Sequence, residues 1–164
     1  MNKSNMIWFG RYEGWLRMLA HGVKDGDVAC IDKAAKLFDL MLPDRCIIVP
    51  MPCHLGAARY MLEVADRMPG RRFVMDALTC EPHESCYDQK KDGYAPSDFN
   101  MSFNTTKLFD TSKMGMVPKE DFNGGIYIID NVICTGVTAS AARRAVAMHG
   151  LASVVCAIAY SPWR

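Results

Sequence analysis

The chain has 164 residues, half of them apolar, with 19 Lys and Arg against 18 Asp and Glu. This length supports one domain with a sizeable core, and the balanced charge excludes a strong overall attraction to nucleic acid or membranes. No apolar run is long enough to span a bilayer, and the first residues lack the apolar segment of a secretory signal. We therefore expect a cytoplasmic protein with a single domain over residues 1–164.

The first half of the chain predicts alternating helices and strands. Residues 12–19 suggest a short amphipathic helix with Trp15, Met18 and Leu19 on its apolar side, and residues 28–42 repeat apolar side chains at helical spacing. Residues 46–49 form a continuous apolar run, which is typical of a strand in a parallel sheet covered on both faces. A helix at 57–68, ended by Pro-Gly, and a strand at 73–78 complete one β-α-β unit.

Residues 80–125 have a different character, since they are polar and show little periodicity. A stretch this long without clear elements is usually a functional lid or a disordered insert. Four lysines in it are candidates for contact with an anion, although a solvated role is the commoner one for each: Lys90, Lys91, Lys107 and Lys113.

Seven cysteines are present, but their number is odd and no Cys-x-x-Cys pair occurs. The segment with Cys80, His83 and Cys86 offers three metal-binding side chains, yet a structural zinc site needs a fourth ligand. We therefore predict no metal held directly by the protein.

The last part of the chain predicts a second β-α-β unit, with a strand at 126–129, a helix at 139–149 and a strand at 153–159. Repeated alternation of strands and helices is typical of an α/β fold with three layers, a parallel sheet and right-handed crossovers.

The loop after the strand at 126–129 carries the clearest chemistry. Asp130 follows the strand, Gly136 lets a ligand approach the backbone, and the hydroxyls of Thr135 and Thr138 can donate hydrogen bonds to phosphate oxygens. Free N–H groups of the loop and of the next helix would point to one place, which favours an anion. Many strand-loop-helix units with a glycine hold no ligand, so the spacing alone leaves both interpretations open.

The stretch from Asp130 to Thr138 resembles the phosphoribosyl pyrophosphate (PRPP) signature of type I phosphoribosyltransferases. Residues 11–17, Arg-Tyr-Glu-Gly-Trp-Leu-Arg, and 48–54, Ile-Val-Pro-Met-Pro-Cys-His, are similar to the opening of the competence protein F-like branch of that family. There a Tyr-x-Gly-x-x-Arg helix precedes a strand ending in Pro-x-Pro-x-His. The similar stretches cover a third to a half of the chain, and the middle matches poorly.

The resemblance implies a parallel-sheet phosphoribosyltransferase-like fold with a flexible flap at 80–125. It implies transfer of a 5-phosphoribosyl group between PRPP or a nucleoside 5′-phosphate and a nitrogen acceptor, with Mg²⁺ bound through PRPP. Asp130 and Asn131 would be the catalytic residues. The 5′-phosphate would be cradled by Cys134, Thr135, Gly136, Val137 and Thr138. A weaker expectation places pyrophosphate at Leu55, Gly56 and Arg59.

One departure from the family pattern concerns catalysis. The second acid of the signature is Asn131 here, which removes a negative charge that would help stabilise positive charge at the anomeric carbon. The alternative function is therefore a non-catalytic protein that binds PRPP or a nucleotide in a regulatory or competence-related role. Homodimers are common in the family, so a homodimer is an expectation, whereas the acceptor is not predicted.

Overall fold

A five-stranded parallel sheet forms the centre of the protein, in the strand order β1-β7-β6-β2-β3. The structure is a computed structural model and describes residues 5–70, 72–94, 102–105 and 117–162. The sheet strands are β1 Met6–Arg11, β2 Ile47–Pro50, β3 Phe73–Val74, β6 Ile126–Ile133 and β7 Ser153–Tyr160. Two short strands, β4 Leu78–Thr79 and β5 Asn104–Thr105, pair antiparallel in a separate sheet.

Helices cover both faces of the parallel sheet. They are α1 Gly14–Lys24, α2 Val28–Met41, α3 Arg59–Asp66, α4 Cys86–Lys91, α5 Lys119–Asn123 and α6 Val137–Ala147. One face packs against α1, α2 and α3, while the other packs against α6 and the region of β4 and β5. Neighbouring residues of β6 point to opposite faces, so Ile128 joins the α6 side and Ile129 joins the α1 side. The α/β class is therefore confirmed, with a core on each face of the sheet.

The turn between α1 and α2 is tight and specified by local chemistry. Asp27 begins α2, because its side chain accepts a hydrogen bond of 2.8 Å from the Cys30 N–H. Gly22 allows the two helices to approach, since a Cβ atom there would lie 2.3 Å from Cys30 Sγ. The close contact between α1 and α2 helps to hold α1 against the sheet.

Near the amino ends of β2 and β3, one buried cation holds several chain segments together. The Arg72 side chain is only 3% exposed and pairs with Asp39. Its guanidinium donates hydrogen bonds to the carbonyl oxygens of Pro43 at 2.8 Å, Pro69 at 2.6 Å and Leu42 at 3.0 Å. Because α2 ends just before Leu42, Arg72 satisfies carbonyl groups that the end of a helix leaves free.

Three sequence predictions about elements need correction. Strand β1 was not predicted, and residues 73–78 form β3 and the start of β4, in different sheets. The apolar face of α1 was also assigned wrongly, because Trp15 and Met18 are 57% and 68% exposed. The helix instead buries Leu16, Leu19, Ala20 and Val23.

The other predicted elements are present with shifted ends. The helix at 28–42 is α2, the helix at 57–68 is the shorter α3, and the helix at 139–149 begins earlier, at Val137. The strand at 126–129 continues to Ile133, so Asp130 and Asn131 belong to β6 rather than to the loop. Of the segment 80–125, residues 80–94, 102–105 and 117–125 are described, and Lys107 and Lys113 lie outside these ranges. None of the described helices has the length and apolar character needed to cross a membrane.

Candidate functional site

A cavity of about 740 Å³ opens at the carboxyl edge of the parallel sheet. Its lining includes Tyr12 after β1, residues 51–54 after β2, residues 130–132 and 134 from the end of β6, and Ser161 after β7. Helix α1 forms one wall, and residues of the segment 83–91 contribute to another side. Ligands of parallel α/β sheets bind at this edge, because the loops that follow the strands converge there.

A second, smaller cavity of about 70 Å³ lies at the start of α6. Its lining includes four of the five residues predicted to bind phosphate: Cys134, Thr135, Gly136 and Thr138. The fifth, Val137, does not line it, and its N–H donates to Thr135 Oγ1 at 3.2 Å. Gly136 precedes the helix with φ +80°, a conformation that favours glycine, and as the N-cap residue it offers no side chain to the N–H groups of α6. The cavity is therefore of a size and chemistry suited to a small anion.

Asp130 lies between the two cavities, and it lines both. Burial raises the pKa of the Asp130 carboxyl to about 6, and the hydrogen bond from the Asn131 N–H acts in the opposite direction. That N–H donates to Asp130 Oδ1 at 2.7 Å. The carboxylate is thus ionised near neutral pH but weakly solvated, which prepares it to accept hydrogen bonds from hydroxyl groups of a ligand.

Asn131 has a different environment from its neighbour. Its side chain is 7% exposed and donates from Nδ2 to the Ala20 carbonyl oxygen at 2.8 Å, which ties β6 to α1. Its Oδ1 atom is buried and has no hydrogen-bond partner among the described residues. The Asn131 side chain therefore ties β6 to α1, and its oxygen is a buried acceptor without a partner in a residue that lines the larger cavity.

The wall formed by α1 carries positive charge. Arg17, His21 and Lys24 line the larger cavity from successive turns of the helix. Tyr12 organises this wall, because its hydroxyl hydrogen-bonds His21 Nε2 at 2.8 Å and its ring lies 6.0 Å from the Arg17 guanidinium carbon. We name Arg17, His21 and Lys24 the α1 wall. Arg17 is the arginine of the Tyr-x-Gly-x-x-Arg match noted in the sequence. His21 and Lys24 were not predicted as site residues, although their spacing of four and three from Arg17 places them on one face of a helix.

Two histidines meet on another side of the cavity. The rings of His54 and His83 lie 6.5 Å apart, and the His83 N–H donates to the His54 carbonyl oxygen at 2.9 Å. Burial lowers the pKa of His54, and the nearby charges of Lys24 and His83 lower it further. Lys91, one of the four lysines considered from the sequence, also lines this cavity.

The residues predicted for pyrophosphate are placed differently. Leu55, Gly56 and Arg59 are not among the residues that line either cavity. Leu55 is 49% exposed, and the Gly56 N–H already donates to the Cys53 carbonyl oxygen at 2.9 Å. The same loop reaches the larger cavity through residues 51–54 instead.

Among the residues that line the larger cavity, one carboxylate could contact a metal ion. Asp130 is the acidic residue among those that line the larger cavity. In the described ranges, no three His, Cys, Asp or Glu side chains lie close enough together to hold a metal ion. Magnesium often binds through substrate phosphates with one or two carboxylates, and Asp130 fits that role.

Comparisons with known proteins do not assign a family. No protein-family model matches the chain, and no curated protein or solved structure matches it either. The function is therefore inferred from the geometry and chemistry of this carboxyl-edge site.

Proposed function

We propose that the chain is a phosphoribosyltransferase-like domain that binds PRPP or a nucleoside 5′-phosphate. It transfers the 5-phosphoribosyl group to or from a nitrogen acceptor. The observation that carries this proposal is the position of Asp130 between a small cavity at a helix N-terminus and a larger cavity with basic residues. That arrangement separates a site for one phosphate from a site for the rest of the ligand.

The small cavity takes the 5′-phosphate. The loop residues Thr135 and Gly136 and the uncapped start of α6 supply the polar groups and the positive end of the helix dipole. Thr138 lines both cavities, which supports a role for its hydroxyl where the phosphate joins the ribose.

Asp130 accepts hydrogen bonds from the ribose hydroxyls. In the transfer, the bond from the anomeric carbon to pyrophosphate breaks and a bond to the acceptor nitrogen forms. The Asp130 carboxylate stabilises the positive charge that develops on the sugar, and its weak solvation strengthens this effect. Bound Mg²⁺ would offset part of the pyrophosphate charge. Positioning and charge stabilisation account for the catalysis, and no covalent nucleophile is needed.

A non-catalytic PRPP-binding or nucleotide-binding protein is the second candidate. It is favoured by Asn131, which stands where the family signature has its second acid and whose side chain bonds to the Ala20 carbonyl of α1. Because the Asn131 side chain is bonded to Ala20, Asp130 supplies the one carboxylate that this pair of residues can offer to the sugar. Such a site keeps its affinity for the ligand but stabilises the transition state less.

Calorimetric titration with PRPP, with and without Mg²⁺, tests the proposal on the native chain and on Asp130→Asn and Thr138→Val. We expect saturable binding that weakens about tenfold or more in Asp130→Asn, because a buried charged acceptor is lost. Asp44→Asn is the matched control, since Asp44 is exposed and distant from both cavities.

A folded native chain that does not bind PRPP would contradict the proposal. Pyrophosphate release with a panel of bases and amines then separates the two candidates. Binding with release supports the transferase, while binding without release across the panel supports the non-catalytic protein.

A further inference from the structure

Tyr60 is a residue of the larger cavity whose ring is held by the core. It lies at the start of α3 and is among the residues that line this cavity. The ring is partly buried and packs against the core cluster that α1, α2 and α3 form on one face of the sheet. Val64, one helical turn further on, is fully buried, so both side chains project from the side of α3 that faces the sheet. The packing of the ring therefore fixes where its hydroxyl group lies.

The hydroxyl group of Tyr60 is available to a ligand. Tyr12, the other tyrosine among the described residues of the lining, uses its hydroxyl in a hydrogen bond of 2.8 Å with His21. The Tyr60 hydroxyl forms no hydrogen bond with a described residue. The buried polar atoms that lack a partner in the described chain belong to Asp121, Asn131 and Ser153, so the Tyr60 oxygen keeps accessible surface.

Asp130 has a carboxylate oxygen available in the same cavity. Its Oδ1 accepts the Asn131 N–H at 2.7 Å, whereas its Oδ2 accepts no hydrogen bond from a described residue. The phenol and the carboxylate are near each other, because burial raises the pKa of Tyr60 and the negative charge of Asp130 raises it further. Tyr60 therefore stays protonated at neutral pH, and its O–H remains a donor.

A donor and an acceptor that lie near each other and are both unpaired fit one kind of ligand group. A phosphate or carboxylate of the ligand would be repelled by the charge of Asp130. An ammonium group donates to the carboxylate but offers no acceptor to the phenol O–H. A hydroxyl group donates to the carboxylate and accepts from the phenol at the same time, so it satisfies both partners.

We propose that Tyr60 is a specificity-determining residue that binds, together with Asp130, one of the two vicinal hydroxyl groups of the sugar. The sugar hydroxyl donates to Asp130 Oδ2 and accepts from the Tyr60 O–H. This inference rests on the proposed function and narrows its substrate class to ribose 5-phosphates. A deoxy sugar without that hydroxyl leaves the phenol and the carboxylate oxygen unpaired, and the site therefore discriminates against it.

Three sugar phosphates that differ in one hydroxyl test the inference by calorimetry: ribose 5-phosphate, 2-deoxyribose 5-phosphate and 3-deoxyribose 5-phosphate. They are titrated into the native chain, Tyr60→Phe and Tyr127→Phe, and PRPP with Mg²⁺ is titrated into the same proteins. Tyr60→Phe removes the hydroxyl and keeps the ring that packs against the core. Tyr127→Phe is the matched control, since Tyr127 packs against the same core cluster and lines neither cavity. Urea unfolding verifies that each variant is folded.

We expect the native chain to bind ribose 5-phosphate about tenfold more tightly than one of the two deoxy sugars. Tyr60→Phe should weaken the binding of ribose 5-phosphate about fivefold and leave the binding of that deoxy sugar unchanged, because the deoxy sugar never forms the lost hydrogen bond. A structural defect would instead weaken all three sugars alike. Tyr127→Phe should change none of the affinities.

Several results would overturn the inference. They are a native chain that does not distinguish the three sugars, no loss in Tyr60→Phe, and an equal loss for all three sugars in that variant. A loss confined to PRPP would also overturn it, since Tyr60 would then contact the pyrophosphate.

Failure of the proposed function gives a different pattern. If neither PRPP nor any of the sugar phosphates binds to the folded native chain, both proposals are lost. If ribose 5-phosphate binds and Asp130→Asn weakens it, while Tyr60→Phe keeps the native preference among the sugars, the inference about Tyr60 alone is lost.

Discussion

The charged side chains at the two ends of the parallel sheet differ in whether they are paired. Near its amino end, the buried Arg72 is paired with Asp39 and donates to four carbonyl oxygens. At its carboxyl end, the half-buried Asp130 forms no ion pair in the described chain, and neither does Arg17 or Lys24. The buried Asn131 Oδ1 has no hydrogen-bond partner there. The paired Arg72 stabilises the fold at the first end, whereas the partial burial of the Asp130 carboxylate at the second end has a cost in stability.

Buried polar atoms without a hydrogen-bond partner among the described residues occur at both ends of the sheet: Asn131 Oδ1 at the carboxyl end, and Asp121 Oδ1 and Ser153 Oγ near the amino ends of β6 and β7. The difference between the two ends therefore lies in the pairing of Arg72 and of Asp130, since burying a charged group is unfavourable unless it is paired. The free energy of unfolding should therefore change in opposite directions when residues at the two ends of the sheet are replaced. Changes at Arg72 should destabilise, and removal of the charge at Asp130 should stabilise.

The largest expected effect is at Arg72. Replacing Arg72 with Met leaves Asp39 and the carbonyls of Leu42, Pro43 and Pro69 without their donor, so the free energy of unfolding should fall by about 3 kcal/mol. Urea unfolding measures it, with Arg67→Met as the control. Arg67 pairs with Asp32 where both side chains are exposed, and its loss should cost about 1 kcal/mol or less. Equal losses for the two variants would contradict a special role for the buried network.

The second effect concerns the family signature. In Asn131→Asp, a carboxylate oxygen replaces the Nδ2 donor that lies 2.8 Å from the Ala20 carbonyl oxygen. We expect the free energy of unfolding to fall by about 2 kcal/mol near neutral pH, because two acceptors then face each other in a buried site. At about pH 4.5 the loss should be smaller, since a protonated carboxyl can donate to Ala20.

Urea unfolding at both pH values checks this expectation, with Asn104→Asp as an exposed control. A loss that does not change with pH would show that the new carboxyl does not face the Ala20 carbonyl. The chain would then accept the second acid of the signature without a structural cost.

The smallest expected change is at Asp130, where replacement should raise the free energy of unfolding instead of lowering it. Because the pKa of Asp130 is raised to about 6, the folded protein binds a proton that the unfolded chain releases from about pH 4 upward. The resulting cost in stability develops between these values and is complete above pH 6. Asp130→Asn should therefore raise the free energy of unfolding by about 1 to 2 kcal/mol at neutral pH and leave it nearly unchanged below pH 4.

Urea unfolding across this pH range measures the effect, and Asp44→Asn should show no comparable gain. A loss of stability in Asp130→Asn at neutral pH would contradict the buried, unpaired state of the carboxylate. Ligand binding should weaken in the same variant, so stability and binding change in opposite directions.

Sequence patterns predicted the elements that obey a single strong periodicity. The helix α2 and the central strands β2, β6 and β7 were found because their apolar runs are long or regular. The burial of α1 was also visible, since Leu16, Leu19, Ala20 and Val23 have helical spacing. The prediction was wrong about the buried face because it assigned the large apolar side chains of Trp15 and Met18 to it.

Contacts between distant segments explain what sequence could not provide. The Asn131 amide bonds to Ala20, and Tyr12 meets the carboxyl end of β7, so the α1 wall becomes part of the site only through tertiary structure. Strand β1 mixes buried and exposed residues at an edge of the sheet, which gives no clear alternation. Among the residues predicted to bind phosphate, Val137 is the one that does not line the smaller cavity.

The pairing of β1 with β7 affects when the site forms during folding. Met6 lies beside Val155 in this edge pair, so it joins segments near opposite ends of the sequence. Such non-local pairing slows folding, because the entropy of closing a long loop must be lost before the strands gain contacts. During synthesis, α1 leaves the ribosome well before β7, and domains assemble as their parts emerge. Tyr12 and Arg17 are therefore synthesised before the strand that completes their side of the cavity.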